Sequence, residues 1–388
     1  MHKKSEKSIR ISSMNSEATM TQRKIMECFS VKLTLICPIL DKLIIFLQYK
    51  HCTLPLHKIV MQFTTGIALP VNEIDISHNK PIIFIGSCFA ENIGKKLQDR
   101  KFDIEVNPFG VQYNPFSVSA VLKRVASGAL FTHESREVFA HNGKWHSIMH
   151  HSDFSRNTKE ELLEHINARL QNAHKVATHC DVIVVTFGTA YTYTRNSDNM
   201  IAGNCHKLPA KDFTRRLSDI NTIAEEYDGV IDLFKSMNPG VRFIFTVSPI
   251  RHLRDGAHDN QKSKATLLLA IDRIIEKHPD CCHYFPAYEI LLDELRDYRF
   301  YAEDMTHPSS TAIEYIWECF GKCYFSAPTM ALNGSIEEVL RGLNHRPFDR
   351  ESEGYRQFVG NLAQKISALV GKYPFLDFKK ELTLCNTL

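Results

Sequence analysis

Three uninterrupted apolar runs constrain the fold of this chain more than any other feature: Pro81–Ile85 (PIIFI), Asp181–Phe187 (DVIVVTF) and Val241–Val247 (VRFIFTV). Each is rich in β-branched or aromatic residues, and none alternates with polar positions. A strand of that kind is buried on both faces, as in a parallel sheet covered by helices on either side. The intervening segments supply the helices, with apolar residues at helical spacing in 89–97, 212–237 and 262–277. Two weaker strands are expected at Asp103–Val106 and Cys281–Phe285. Strands alternating with amphipathic helices define the α/β class, here a three-layer domain of about five parallel strands. Beyond Ser309 the spacing is helical throughout, predicting helices at Ser309–Cys323, Ser335–Leu343 and Glu351–Leu369.

A chain of 388 residues with 44% hydrophobic side chains has ample material for such a core. Its formal net charge of +3 gives no electrostatic case for nucleic acid or an acidic membrane. The basic surplus belongs to residues 1–60, with ten Lys/Arg against four Asp/Glu; the remainder carries 37 against 40 and is mildly acidic. Residues 1–60 also lack a sustained apolar period. The apolar stretch Val31–Leu47 is interrupted by Lys32, Pro38, Asp41 and Lys42, so neither a membrane span nor a signal peptide is expected there. Residues 1–60 read as an extension, either disordered or upstream of a natural start at Met61. The 11 cysteines are irregularly spaced without a CxxC pair, which points to packed thiols and a reducing, cytoplasmic compartment. No Walker A or GxGxxG loop is present.

In an open α/β sheet, ligands bind beyond the carboxyl ends of the strands, so chemistry is sought there. Immediately after the first strand stands Gly86-Ser87-Cys88-Phe89-Ala90. A serine at a helix start presents its hydroxyl where backbone N–H groups and the helix dipole favour an oxyanion. The structural alternative is an ordinary helix N-cap. Near the other end, Asp304-Met305-Thr306-His307-Pro308-Ser309 precedes a helix. A carboxylate three residues before a histidine can hold the imidazole Nδ1–H and leave Nε2 to accept a proton. The alternative there is a capping turn with a surface histidine. Cys88 is read as a packed thiol. His146 and His150 share an i, i+4 spacing, but no carboxylate motif accompanies them to make a metal site. Arg251 and His252 follow the strand ending at Val247, where they would meet substrate.

The order of these pieces, an early strand-end serine and a late Asp-x-x-His, is similar to that of the SGNH/GDSL esterases. The strings GSCFA, NPFGVQYNP (Asn107–Pro115), VTFGTAYTY (Val185–Tyr193), GNCHKLP (Gly203–Pro209), TVSPIRH (Thr246–His252) and YAEDMTHPS (Tyr301–Ser309) resemble the GSCFA domain family, a bacterial group. The resemblance covers residues 61–325 and leaves 326–388 as a helical extension packed on that domain. It implies a flavodoxin-like sheet, with Ser87 as nucleophile, His307 as general base and Asp304 as its orienting partner. Gly110 is the counterpart of the first oxyanion-hole residue. At the second, the sequence reads Gly188-Thr189-Ala190 without the expected asparagine. The Thr189 hydroxyl, or an amide from Asn114 or Asn204, would then have to donate.

The function expected is a serine-dependent esterase, deacylase or acyltransferase acting on an ester, an O-acyl group of a carbohydrate being the suggested substrate. Such chemistry needs no cofactor and no metal. The partner is a small-molecule or carbohydrate ester, and the oligomeric state is not legible. The rival expectation is a non-catalytic ligand- or glycan-binding protein that keeps the fold.

Overall fold

The computed structural model describes residues 64–71 and 74–387; the extension read at residues 1–60 lies outside them. The first strand, β1 (Ile82–Gly86), is buried along its whole length and leads into α1 (Cys88–Asp99). Next come β2 (Ile104–Val106) and α2 (Pro115–Ser127). A small hairpin, β3 (Val138–His141) and β4 (Lys144–Ser147), precedes α3 (Lys159–Ala177). The central strand β5 (Val182–Phe187) is followed by a second hairpin, β6 (Tyr191–Arg195) and β7 (Phe213–Leu217), and by α4 (Ile220–Met237). The unit closes with β8 (Arg242–Val247), α5 (Ala257–Lys277), β9 (Cys282–Tyr284) and α6 (Ser310–Tyr324).

Five of these strands form one parallel sheet in the order β2-β1-β5-β8-β9. Numbered along the sheet's own strands this is 2-1-3-4-5, the flavodoxin-like order expected from the sequence. The period of two within each strand divides the core. Ile83, Ile85, Ile183, Val185, Phe243 and Phe245 face the layer of α2, α3, α4 and α5. Ile82, Phe84, Val182, Val184 and Ile244 face α1 and α6 on the other side. The chain is therefore a three-layer α/β protein.

Two expectations need correction. Residues 212–237 are not one helix: Phe213–Leu217 pairs antiparallel with Tyr191–Arg195, and the helix starts only at Ile220 behind an Asp219 cap. Phe213, Leu217 and Ile220 fall at helical spacing, but strand pairing with the aromatic-rich 191–195 segment prevails over that local pattern. The helix expected at Ser335–Leu343 begins earlier, as α7 (Ala327–Leu343), with Pro328 in its first turn where a missing N–H costs nothing. With α8 (Glu353–Lys372) and α9 (Lys379–Thr387), α7 surrounds a third apolar core that includes Ile336, Val359, Leu362, Ile366 and Phe378. These helices meet the far end of α1, where Arg100 binds Glu337 (2.5 Å) and Lys101 binds Glu381 (2.5 Å). Among the described residues no helix is long and apolar enough to cross a membrane.

At Gly86, with φ +137°, a Cβ built on the backbone would sit 2.1 Å from the Thr186 carbonyl oxygen of the neighbouring strand. Neither strand can yield without losing its ladder. Gly86→Ala is expected to cost about 2–4 kcal/mol, from positive-φ strain and overpacking together. Thermal or urea unfolding of the purified variant checks this, and unchanged stability would contradict it.

Candidate active site

Beyond the carboxyl ends of β1, β5 and β8 lies a cleft of about 990 Å³, with Ser87, Cys88, Tyr113, Asn114, Thr189, Arg251, His252 and His307 in its lining. Ser87 caps α1: its Oγ accepts from Phe89 N at 3.2 Å, and the residue is buried. A hydroxyl oxygen used as a cap acceptor still has its proton to give. Among the described residues nothing accepts it, and no hydrogen bond joins Ser87 Oγ to His307.

His307 belongs to a loop closed by the bridge between Tyr301 and Pro308. Asp304 organises that loop, its Oδ1 accepting from Thr306 N and His307 N, both at 2.9 Å. Its Oδ2 lies 2.5 Å from His307 Nδ1, which sets Nδ1 as the donor and leaves Nε2 unprotonated in the neutral ring. These hydrogen bonds from His307 and Thr306 hold the Asp304 carboxyl down to about 2, so it is ionised under ordinary conditions. His307 is half exposed, and its Nε2 has no partner among the described residues. Met305, between the two, takes φ +57°. Arg251 steadies this turn by donating from Nη2 to Met305 O at 2.8 Å, with its guanidinium 5.0 Å from the centre of the Tyr301 ring. Arg251 thus both lines the cleft and tethers the histidine loop.

The residues named for an oxyanion hole separate into engaged and available donors. Gly110 N–H donates to Asn107 O at 2.8 Å, inside a turn away from the cleft lining. Gly188 N and Thr189 N both donate to Tyr113 O, at 2.8 and 2.9 Å. The Thr189 hydroxyl pairs with Ser263 Oγ at 3.0 Å and accepts from Tyr191 N. Asn114 behaves differently. Its Oδ1 caps α2 by accepting from Ser117 N at 2.9 Å, so its Nδ2 is turned elsewhere and has no acceptor among the described residues. Asn204 also lines the cleft; its Oδ1 accepts from His206 N at 2.8 Å, and its Nδ2 likewise has no acceptor among the described residues. The N–H of Cys88, first in α1, is one of the donors that a helix start leaves unpaired. Asn114 Nδ2, Asn204 Nδ2 and Cys88 N–H are therefore the candidate donors of the cleft that lack an acceptor among the described residues.

Two groups in the surroundings carry shifted pKa values. Burial, then the nearby Lys264 and His307, push His252 down to about 4, so its ring is neutral. Lys264, on α5, is fully buried and pushed down to about 7 by desolvation. Its Nζ donates to Gly188 O and Ser248 O, both at 2.7 Å, tying the ends of β5 and β8 together. Nothing in the sequence marked Lys264: amphipathic spacing places most lysines outward. The Cys88 thiol lies 3.5 Å from Tyr113 Oη. His146 and His150 do not converge: His146 contacts Ser155 Oγ and His141 O, whereas His150 is stacked on Phe109 at 4.0 Å. Among the described residues no group of three or more His, Cys, Asp or Glu is disposed to hold a metal.

Comparison with known proteins gives two family matches. The model of the GSCFA family matches residues 81–320, and that of the GSCFA domain protein C-terminal domain matches residues 336–388. No curated protein matches the chain. Among solved structures, the chain is similar to the periplasmic domain of a lipopolysaccharide acetyltransferase from Salmonella ser. Paratyphi A. That likeness has 12% identity and a TM-score of 0.28, over 64% of this chain and 84% of that one.

The buried amine gives a test of the local geometry. Lys264 titrates near 7 in the folded protein and near 10.5 in an unfolded chain. Between those values the unfolded state binds the extra proton, so this group's contribution to stability rises with pH across that window. The melting temperature of wild type minus that of Lys264→Met is expected to move in favour of wild type between pH 6 and pH 9. A difference independent of pH would show that Lys264 does not titrate in this range.

Proposed function

The chain belongs to the GSCFA family, and we propose that it is a serine-dependent hydrolase or acyltransferase acting on an ester, with an O-acyl group on a carbohydrate as the substrate. The observation that carries this is a single cleft lined by Ser87 and His307, residues from opposite ends of the α/β unit, with Asp304 against the far nitrogen of the imidazole. A capping serine and a surface histidine arising independently would have no reason to share one cleft.

In the proposed reaction His307 Nε2 takes the Ser87 proton as Oγ attacks the acyl carbonyl. Asp304 keeps the imidazole in the required tautomer and stabilises the imidazolium that forms. The carbonyl oxygen becomes an oxyanion and accepts hydrogen bonds from Cys88 N–H and Asn114 Nδ2. Collapse breaks the bond to the alcohol, which leaves with the proton from His307 and gives an acyl-Ser87 ester. Water, or the hydroxyl of an acceptor sugar, then attacks that ester as His307 takes its proton. The acyl–Oγ bond breaks, His307 returns the proton to Ser87 Oγ, and the acid or the new ester is released. No hydrogen bond joins Ser87 Oγ to His307 among the described residues, so the proposed proton transfer requires the two to close to hydrogen-bond distance.

Hydrolysis of 4-nitrophenyl acetate provides the assay. Ser87→Ala and His307→Ala are expected to lower kcat about 10³-fold or more, and Asp304→Asn about 10²-fold or more. Equal turnover by wild type and all three variants would leave a binding protein without esterase activity. The amide donor is separable from its capping role. Asn114→Asp keeps a carboxylate oxygen for Ser117 N but removes the Nδ2 donor. A loss of about 10²–10³ in kcat, with the melting temperature preserved, is expected. Full activity in that variant would exclude Asn114 from the oxyanion hole.

A further inference from the structure

The cleft is much larger than an acyl group requires, and its outer wall has a distinct chemistry. Volumes near 1,000 Å³ suit a ligand of several rings rather than an acetyl ester alone. The outer wall is built by β6, β7, the 203–210 loop and the turn Leu253–Asp255. The cations of the cleft lining are Lys207, Arg215, Arg251 and Arg254; Asp255 is the acidic residue of the lining, and it is occupied by Arg215 at 2.6 Å. Among the described residues Lys207, Arg251 and Arg254 have no carboxylate partner. Tyr193 and Phe213, from the paired strands, add flat apolar surface to the same wall.

The placement of Lys207 comes at a conformational cost. His206 and Lys207 both take left-handed backbone, with φ +48° and +61°, although neither is glycine. The turn is held in that shape by buried His206, whose Nε2–H donates to Ser147 O at 2.8 Å, and by the Asn204 side chain. Strain that the surroundings overdetermine is concentrated at ligand sites, and here it falls on a lysine of the cleft lining.

We infer that the cleft takes an ester carried on a negatively charged saccharide. The cations would receive the carboxylate or phosphate of the acidic sugar, and Tyr193 and Phe213 the apolar face of its ring. This rests on the ester chemistry proposed above and adds the class of molecule that carries the ester.

Three acetyl esters test it side by side: an acetylated oligogalacturonide, an acetylated phosphomannan fragment and an acetylated xylo-oligosaccharide, which is neutral. The expected result is a kcat/KM for at least one anionic ester about tenfold above the neutral one, falling as salt is raised. Which of the two is preferred identifies carboxylate or phosphate. In Lys207→Gln/Arg254→Gln that preference should fall at least about threefold, chiefly through KM, while Lys322→Gln on exposed α6 surface retains it. Equal rates on acidic and neutral esters, or a preference that survives the double variant, would overturn the inference. Titration calorimetry of Ser87→Ala with unacetylated oligogalacturonate and phosphomannan separates this from the reaction itself. Binding stronger than that of unacetylated xylo-oligosaccharide, and weakened by the double substitution, supports the inference even if hydrolysis fails. Serine-dependent hydrolysis of 4-nitrophenyl acetate without any preference for charge would keep the reaction and remove the anionic substrate.

Discussion

The carboxyl edge of the parallel sheet is where backbone groups run out of ladder partners, and a buried N–H or C=O left unpaired there costs about 1–3 kcal/mol. The chain re-pairs these groups one at a time. Gly86 N donates to Asn107 Oδ1, and Gly86 O accepts from Gln112 N. Gly188 N and Thr189 N donate to Tyr113 O. Gly188 O and Ser248 O accept from the Lys264 amine. The loop at 107–114 thus stitches β1 to β5, and α5 stitches β5 to β8. The re-pairing is incomplete: Asn107 Nδ2, Gln112 Oε1, Thr186 Oγ1 and Thr246 Oγ1 stay buried without a partner. The Ser87 proton, Asn114 Nδ2 and His307 Nε2, which the proposed acyl transfer would use, also have no partner among the described residues.

Much of this was legible in the sequence, for physical reasons that can be named. PIIFI, DVIVVTF and VRFIFTV are strands because continuous β-branched apolar runs fit only a sheet buried on both sides, and β1, β5 and β8 lie there. The Asp304–His307 contact was legible because it is local, spanning one turn. The meeting of His307 with Ser87 in one cleft is not local, and only the order of the motifs along the chain pointed to it. The β6–β7 hairpin was misread because Phe213, Leu217 and Ile220 mimic a helix face. Which glycine N–H groups are free could not be read at all. Gly110, Gly188 and Thr189 are suitable residue types, but whether an N–H is available depends on which carbonyl the fold brings to it. Tyr113 O settles that for two of them.

Helix α1 links the chemistry to the C-terminal helices. Its first turn carries Ser87 as cap, and the chain just past its last turn carries Arg100 and Lys101, bound to Glu337 and Glu381. Twelve residues at about 1.5 Å rise separate the two ends by roughly 18 Å. Residues of α7 and α9 that grip α1 at its far end are therefore too distant to touch an ester at Ser87. Their contribution is to the position of the helix, whose N-terminal dipole and free N–H would meet the oxyanion of the proposed reaction. A rigid strut anchored at the end away from the reaction can keep those donors in place without crowding the cleft.

The distribution of charge bears on the selectivity proposed for the cleft. Beyond residue 60 the chain carries 37 basic against 40 acidic residues, so that part taken together gives no general attraction for anions. The cleft reverses that sign locally, because Lys207, Arg251 and Arg254 face a space whose acidic lining residue is already paired. A concave, low-dielectric wall focuses such a field, and a Debye length of about 8 Å at physiological salt confines it to the cleft mouth. A uniformly basic surface would hold polyanions anywhere. A mildly acidic body with a cationic cleft would instead favour the proposed anionic ligand only where its ester can reach Ser87. Discrimination then comes from the contrast between cleft and surface, and it would weaken with every cation added elsewhere on the protein.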